Sequence, residues 1–443
     1  MQTTIAAIAT PVGNAGIGIV RISGSKALEI VSGIFSEELR PRYATLGTIS
    51  VGDITDTVIA IYFQSPNSFT GEDVVEIQAH GGSMMLDKIL SHLFHLGATP
   101  AASGEFSKRA FLNGKMTLSS AEAIIDLINA DSDAELRAAA SGHNGRLLDK
   151  LTQIENELIT LAAQIEVVLD HPELDLIADT SALQPIITDL ELLISTEQQG
   201  RLTANGVSIA VLGKPNVGKS SLFNAILGRD RAIVTNIAGT TTDTISESIQ
   251  YGGYKFTFND TAGLREGKSE IERLGIERSK KIIHDADICL VIFDGSERLT
   301  QEDHSLLELI GRSQTAPTLY VFNKSDLVGA TCGRPSGFQG LPVSAKTGEG
   351  VEDIKQKIYD MVIGQPSTHT KDLVITNTRH MQNLKSAHAA LLDAQTGAGA
   401  APLHLDLVAI DVATARGHIG QISGTDVSES VIDEIFSRFC LGK

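Results

Sequence analysis

Residues 213–220 read GKPNVGKS, preceded by the β-rich run VSIAVLG (207–213) and followed by SLFNAIL (221–227), which suits the start of a helix. Two glycines separated by four residues and followed by Lys-Ser make a phosphate-binding loop when a strand precedes them and a helix follows. Backbone N–H groups along Asn216, Val217, Gly218, Lys219, Ser220 and Ser221 are expected to point at phosphate oxygens, because a helix N-terminus carries unpaired donors and positive dipole charge. Lys219 reaches the outer phosphates, and the Ser220 hydroxyl is a Mg²⁺ ligand in this pattern.

Companion motifs follow in order. DTAG (260–263) ends a β-rich run, so that Asp260 suits a water-mediated Mg²⁺ contact and Gly263 leaves a backbone N–H open to the terminal phosphate, with Thr261 and Ala262 between them. NKSD (323–326) supplies Asn323, Lys324 and Asp326 after another strand. An Asp carboxylate there accepts two hydrogen bonds from the N1 and N2 edge of guanine, and adenine offers neither donor. Ser344, Ala345 and Lys346 follow the last strand as a base-lining loop. This set resembles the G domain of the translation-factor-like GTPases, which implies GTP rather than ATP.

Acceleration of hydrolysis needs a separate source. Leu264 follows Gly263, so the water-orienting glutamine of Ras-type proteins is missing. Glu272 is the candidate for positioning water, and Arg265 and Arg273 are available as arginine fingers. Asn216, inside the loop, offers a side-chain oxygen for a monovalent cation that places positive charge beside the phosphates. In GTTTD (239–243), a hydroxyl of Thr240 or Thr241 completes the Mg²⁺ sphere and orders a switch.

Working outward, strands alternate with helical stretches across 206–365, as in an α/β domain on a mainly parallel sheet. Residues 1–117 carry short β-branched runs (17–22, 58–63 and 74–77) between Gly, Pro and Asn clusters, an α+β pattern. In 118–205, Leu151, Ile154, Leu158, Leu161, Ile165 and Val168 recur every three or four residues, so long amphipathic helices are expected. Ser119 and Glu122 have capping-box spacing, which predicts a helix start at that point. In 366–443, Val431, Ile432, Ile435, Phe436 and Phe439 form a stripe that so short a tail cannot bury alone. The tail is therefore expected to pack on 118–205, making 206–365 an insertion in a helical domain.

The whole chain has 443 residues, 54 acidic and 36 basic, for a net charge of −18. Its length allows two to four domains. Residues 118–205 hold 16 acidic and only 4 basic side chains, so RNA is expected to avoid them and use the other domains. Cys289, Cys332 and Cys440 are too few and too scattered for a disulfide framework or a zinc site, which points to a reducing compartment. The start lacks a basic region ahead of its apolar residues, and no window of about 18 apolar residues occurs. The expectation is a cytoplasmic protein without a membrane segment.

From end to end the chain resembles the MnmE-type (TrmE) tRNA modification GTPases. The likeness is carried by IAAIATPVGNAGIGIVRISG (5–24), SFTGEDVVEIQAHGG (68–82), GEFSKRAFLNGKMTLSSAEAIIDLI (104–128), the G-domain motifs, TNTRH (376–380) and IFSRFCLGK (435–443). It implies a multidomain α/β plus α fold: an N-terminal α+β tetrahydrofolate-binding domain (1–117), a helical domain in two parts (118–205 and 366–443), and an inserted Ras-like P-loop GTPase domain (206–365).

The resemblance also implies site roles. Folate falls to Arg21, Glu76, Lys115 and Lys443; K⁺ to Asn216, Thr235, Ile237 and Thr240; Mg²⁺ to Ser220 and Thr241; water positioning to Glu272. The TNIAGTT segment, including Asn236, Ala238 and Gly239, joins the nucleotide site. Implied cofactors are GTP, Mg²⁺, K⁺ and 5,10-methylenetetrahydrofolate, with 5-formyltetrahydrofolate as analogue. The implied unit is a homodimer with K⁺-dependent hydrolysis, assembled as a heterotetramer with an FAD-dependent partner of the MnmG (GidA) type. Together they add a carboxymethylaminomethyl or aminomethyl group at C5 of the wobble uridine of tRNA.

Two departures from the family pattern stand out: Thr242 where Arg is common, and LVAIDVATARGHIGQISG (407–424), which lacks an acidic pair and Leu-Arg. Cys440, with no His beside it, is read as packing or folate lining ahead of a nucleophile. The alternative function is a GTP-regulated RNA or ribosome assembly factor whose N-terminal part is a folate-like binding module. Arg21, Glu76, Lys115 and Lys443 kept together argue against it.

Overall fold

The computed structural model describes residues 3–11, 13–171, 179–228, 246–260, 282–312, 316–327, 339–364, 373–399, 404–440 and 442. The chain divides into two compact units: Met1–Ile128 with Gly142–Ile187 and Asn383–Lys443, and Asn129–Ser141 with Thr188–Gln382. The fold is multidomain α/β plus α.

The first unit is built on six strands, β1 (Ile5–Ile8), β2 (Gly18–Ser23), β3 (Ala44–Val51), β4 (Ile54–Phe63), β5 (Val74–Ala79) and β6 (Thr99–Pro100). Their order is β3-β4-β5-β2-β1-β6, antiparallel except for β1 with β6. Alternation along β2 puts Val20 and Ile22 into a core with Ile77, Ile89 and Leu93, and leaves Arg21 on the opposite face, in register with Glu76 on β5. The expected runs at 58–63 and 74–77 lie inside β4 and β5. The first run begins one residue later than expected, at Gly18, and Ile17 remains exposed.

Helices complete this unit. The helix Arg146–Asp170 buries Leu151, Ile154, Leu158, Leu161 and Ile165, five of the six residues in the expected stripe. Each such side chain contributes about 1.5–3 kcal/mol when removed from water. It packs along Leu405–Ser423, whose Val408, Val412, Ala415 and Ile419 are buried. The tail stripe behaves as expected in part, since Ile435, Phe436 and Phe439 pack with Leu118 and Ala121 and with Phe111 from the N-terminal region. The predicted cap is displaced. The helix runs Leu118–Asn129, and Thr117 caps it by accepting a hydrogen bond from the Ser120 N–H at 3.2 Å. Ser119 and Glu122 lie inside the helix and are buried, because a Thr hydroxyl at 117 satisfies the first turn earlier in the chain.

The second unit carries β7 (Val207–Leu212), β8 (Ser246–Tyr251), β9 (Tyr254–Asp260), β10 (Ile288–Asp294), β11 (Thr318–Asn323) and β12 (Leu341–Pro342). Their order is β12-β11-β10-β7-β9-β8, parallel except for the β8 edge. β7 and β10 read as continuous buried apolar runs, as parallel strands covered on both faces do. Residues 129–141 belong with this unit. The Ala134 N–H donates to the Gly253 carbonyl in the turn between β8 and β9, and Lys255 pairs with Asp131 at 2.7 Å.

Candidate functional site

The phosphate loop connects the end of β7 to the helix Lys219–Leu227. Its conformation depends on residues with positive φ. Asn216 sits at 65° and Gly218 at 92°, and a Cβ at 218 would collide with the Asn323 side-chain amide. Only glycine permits that approach. The Lys219 ammonium, 7% exposed, donates to the carbonyls of Gly213 at 2.9 Å and Lys214 at 2.8 Å, so it lies across the loop. Val217 is buried, and Ser220 and Ser221 occupy the first turn of the helix.

Lys214 is tied down from outside the loop. Its ammonium lies 2.9 Å from Asp303, a carboxylate 2% exposed that also accepts from the N–H and hydroxyl of Thr300. The hydrogen bond to Asp303 raises the Lys214 pKa more than burial lowers it. Burial pushes Asp303 upward, but the bonds from Thr300 and Lys214 outweigh it and hold the carboxyl below its usual range. Sequence reading missed this pair, because 89 residues separate its members and no motif joins them.

Asn323 connects the phosphate loop to the segment expected to meet a base. It is 2% exposed; its amide donates to the Val217 carbonyl at 2.9 Å, and its oxygen accepts from the Ala345 N–H at 3.0 Å. Asp326 accepts from the buried Ser344 hydroxyl at 2.7 Å while the residue itself remains exposed. Lys324, at φ 66°, pairs with Asp294 at 2.6 Å. Burial raises Asp294, and hydrogen bonds from Lys324 and Ser296 override it, leaving the carboxyl below its ordinary value. Lys346 is exposed. Asp260 closes β9 in register with Val211, which places its backbone beside the strand that leads into the loop.

Thr235, Asn236, Ile237, Ala238, Gly239, Thr240, Thr241, Thr261, Ala262, Gly263, Glu272 and Lys443 lie outside the described residues, as do Thr242, Leu264, Arg265, Arg273 and Cys332. Among the described residues, no group of three or more His, Cys, Asp or Glu side chains is arranged to hold a metal ion.

A second constellation forms on the first unit. The Arg21 guanidinium binds Glu76 through Nε at 2.9 Å and through Nη2 at 2.8 Å, both to Oε1. It donates from Nη1 to the Gly442 carbonyl at 3.3 Å, so the C-terminal segment meets the sheet at this residue. Gly442 has φ 90° and lies against the Ile8 carbonyl, where a Cβ would not fit. Lys115 is exposed, with its stem beside Gly71. Arg21 also lies over the rings of Phe69 and Phe106, 5.5 and 5.7 Å from their centroids. Phe69 was not singled out in sequence. Arg109 donates to Glu72, to Glu105 and to the Thr3 carbonyl. Cys289 is buried, and its thiol is raised by burial; Cys440 is exposed.

Comparison with known proteins covers both constellations. The family model described as GTP-binding protein TrmE N-terminus matches residues 4–115, and the MnmE helical domain model matches 118–440. The chain is 38% identical to the tRNA modification GTPase MnmE of Carboxydothermus hydrogenoformans, with all of both chains covered. It is 38% identical to the protein of that name from Moorella thermoacetica and 37% identical to that from Clostridioides difficile, again over the full length of each. The chain belongs to the MnmE family.

Proposed function

We propose that this chain hydrolyses GTP in the service of tRNA modification. Asn323 carries the reading: one buried side chain ties the phosphate loop to the segment of Asp326, Ser344 and Ala345, whose carboxylate suits the guanine edge. Lys219 and the loop amides neutralise the phosphates, and Asn323 holds the two halves of the site at a fixed spacing. The four-part division at 117, 205 and 365 belongs to the same proposal, as does action in the cytoplasm. No helix among the described residues is long and apolar enough to cross a membrane.

Ser220 and Thr241 would hold Mg²⁺; Asn216, Thr235, Ile237 and Thr240 would hold K⁺, and Glu272 would orient water. The fit rests on Asn216, whose left-handed backbone lies in the loop itself, and on Ser220 in the first helical turn. Bound cations supply positive charge to the phosphate oxygens.

A reduced folate would be held by Arg21, Glu76, Lys115 and Lys443 as the source of a one-carbon unit. Glu76 Oε1 is occupied by Arg21, whereas Oε2 has no hydrogen bond among the described residues and suits the adjacent donors of a pterin edge. Cation-bearing Arg21 and Lys115 suit anionic groups of the same ligand. The modification is a carboxymethylaminomethyl or aminomethyl group at C5 of the wobble uridine, made by a homodimer with an FAD-dependent partner of the MnmG type. RNA contacts are assigned outside 118–205.

Two measurements test this. The purified chain should cleave GTP over ATP and respond to K⁺ over Na⁺. Nucleoside mass spectrometry of tRNA from cells lacking the protein should show loss of the wobble modification, and unchanged nucleosides would refute the role in tRNA modification.

A further inference from the structure

Phe69 combines an open ring with a fastened loop. It keeps 37% of its surface open, yet the loop that carries it is fastened by buried polar groups. Thr70, next to Phe69 in that loop, shares a hydroxyl–hydroxyl hydrogen bond at 2.8 Å with Ser23 at the end of β2, and both residues are fully buried. The Thr70 carbonyl accepts from Asn113 at 2.7 Å. Glu72 accepts from Ser23 at 2.7 Å and from Arg109 at 3.1 and 3.2 Å, and Arg109 is only 5% exposed. At the other end of the loop, Asp73 accepts from the Ser65 N–H and from the Tyr62 hydroxyl. Burial, and then this bond to Asp73, push Tyr62 up to about 12, so it remains a donor at every physiological pH.

An ion pair this deep costs desolvation energy that an apolar contact would avoid. It does, however, fix geometry. Glu72 lies three residues after Phe69 in the same loop, and the Phe69 ring lies over the Arg21 guanidinium. Phe106, the other ring at Arg21, is fully buried and belongs to the core with Ile5, Ala7 and Ala101. Phe69 alone of the two presents open aromatic surface, and the Arg21 that lies over it is the same residue that pairs with the Glu76 carboxylate.

We infer that Phe69 is an aromatic platform for the pterin ring of the reduced folate, and that Arg109, acting through Glu72, is the residue that positions it. This rests on the folate reading above and adds the residue that selects a flat conjugated ring.

The test is calorimetric titration of the full-length protein with 5-formyltetrahydrofolate, using wild type, Phe69→Tyr, Phe69→Leu, Arg109→Lys and the double variant Phe69→Leu with Arg109→Lys. Stacking of this kind contributes about 0.5–1.5 kcal/mol, so Phe69→Leu, which keeps the bulk, should bind about three- to tenfold more weakly. Phe69→Tyr should stay close to wild type. Arg109→Lys should weaken binding in the wild-type background and add little in the Phe69→Leu background, because both changes remove the same contact. Equal affinity of wild type and Phe69→Leu would overturn the platform, and a full additive loss from Arg109→Lys would overturn its positioning role. Absence of binding by wild type would instead sink the folate reading itself.

Discussion

The Asn323 amide reaches the Val217 carbonyl at 2.9 Å, and through its other atom receives the Ala345 N–H, so a single buried side chain joins the 213–220 loop to the segment after β12. Replacing Asn323 with Ala leaves both groups unpaired in a buried setting, at about 1–3 kcal/mol each. Affinity for a fluorescent GDP analogue should drop on the order of a hundredfold or more.

Asp326 is exposed, and among the described residues its Oδ1 accepts from Ser344 while its Oδ2 has no hydrogen bond. Asp326→Asn changes an acceptor pair into a donor and an acceptor. Guanine, with N–H donors on that edge, should lose affinity by tenfold or more, and xanthine, which has a carbonyl at C2, should gain. Competition between GTP and XTP in a hydrolysis assay reads the exchange directly. Unaltered preference would remove Asp326 from base recognition.

The Lys214–Asp303 pair gives a pH signature. Asp303 has a depressed folded pKa, so its contribution is present above the unfolded carboxylate value and is lost as pH falls through the folded one. Lys214 has a raised folded pKa, so its contribution is full below the unfolded lysine value and is lost as pH rises through the folded one. Stability from this pair is therefore flat around neutrality and declines only in acid below the ordinary carboxylate range and in strong base. Asp303→Asn should lower the GDP-sensitive melting transition at pH 7, by on the order of 3 kcal/mol for breaking a buried pair. It should also flatten the acid limb of a plot of melting temperature against pH.

Gly218 approaches Asn323 too closely for any Cβ and has φ 92°. Gly218→Ala should therefore abolish nucleotide binding with little effect on far-ultraviolet circular dichroism, since the strain is confined to the loop. Equilibrium dialysis with labelled GTP is a sufficient measurement.

Contiguous motifs were the legible part of this molecule. GKPNVGKS leads into the helix Lys219–Leu227 and NKSD starts at the end of β11, so residues adjacent in sequence stay adjacent in space. Amphipathic periodicity likewise identified the buried face of Arg146–Asp170. The cap at Thr117 was missed because Ser119 and Glu122 carry the box spacing that Thr117 and Ser120 lack, whereas in the fold Ser119 and Glu122 are buried inside the helix. Neither Arg109–Glu72 nor Lys214–Asp303 leaves a local trace: each joins residues from separate elements and exists only once the sheets have formed. Arg21 and Glu76 face each other through strand register, which no count of residues between them reveals.

Asp131 and Ala134 grip the β8–β9 hairpin although they precede its sheet by more than sixty positions in the chain. An excised fragment spanning 206–365 would expose the Lys255 ammonium and the Gly253 carbonyl to solvent where the parent chain covers them. Anyone trimming this protein for crystallisation or spectroscopy should carry 129–141 along, supplied in trans as a peptide or grafted by a short tether, to recover the native edge.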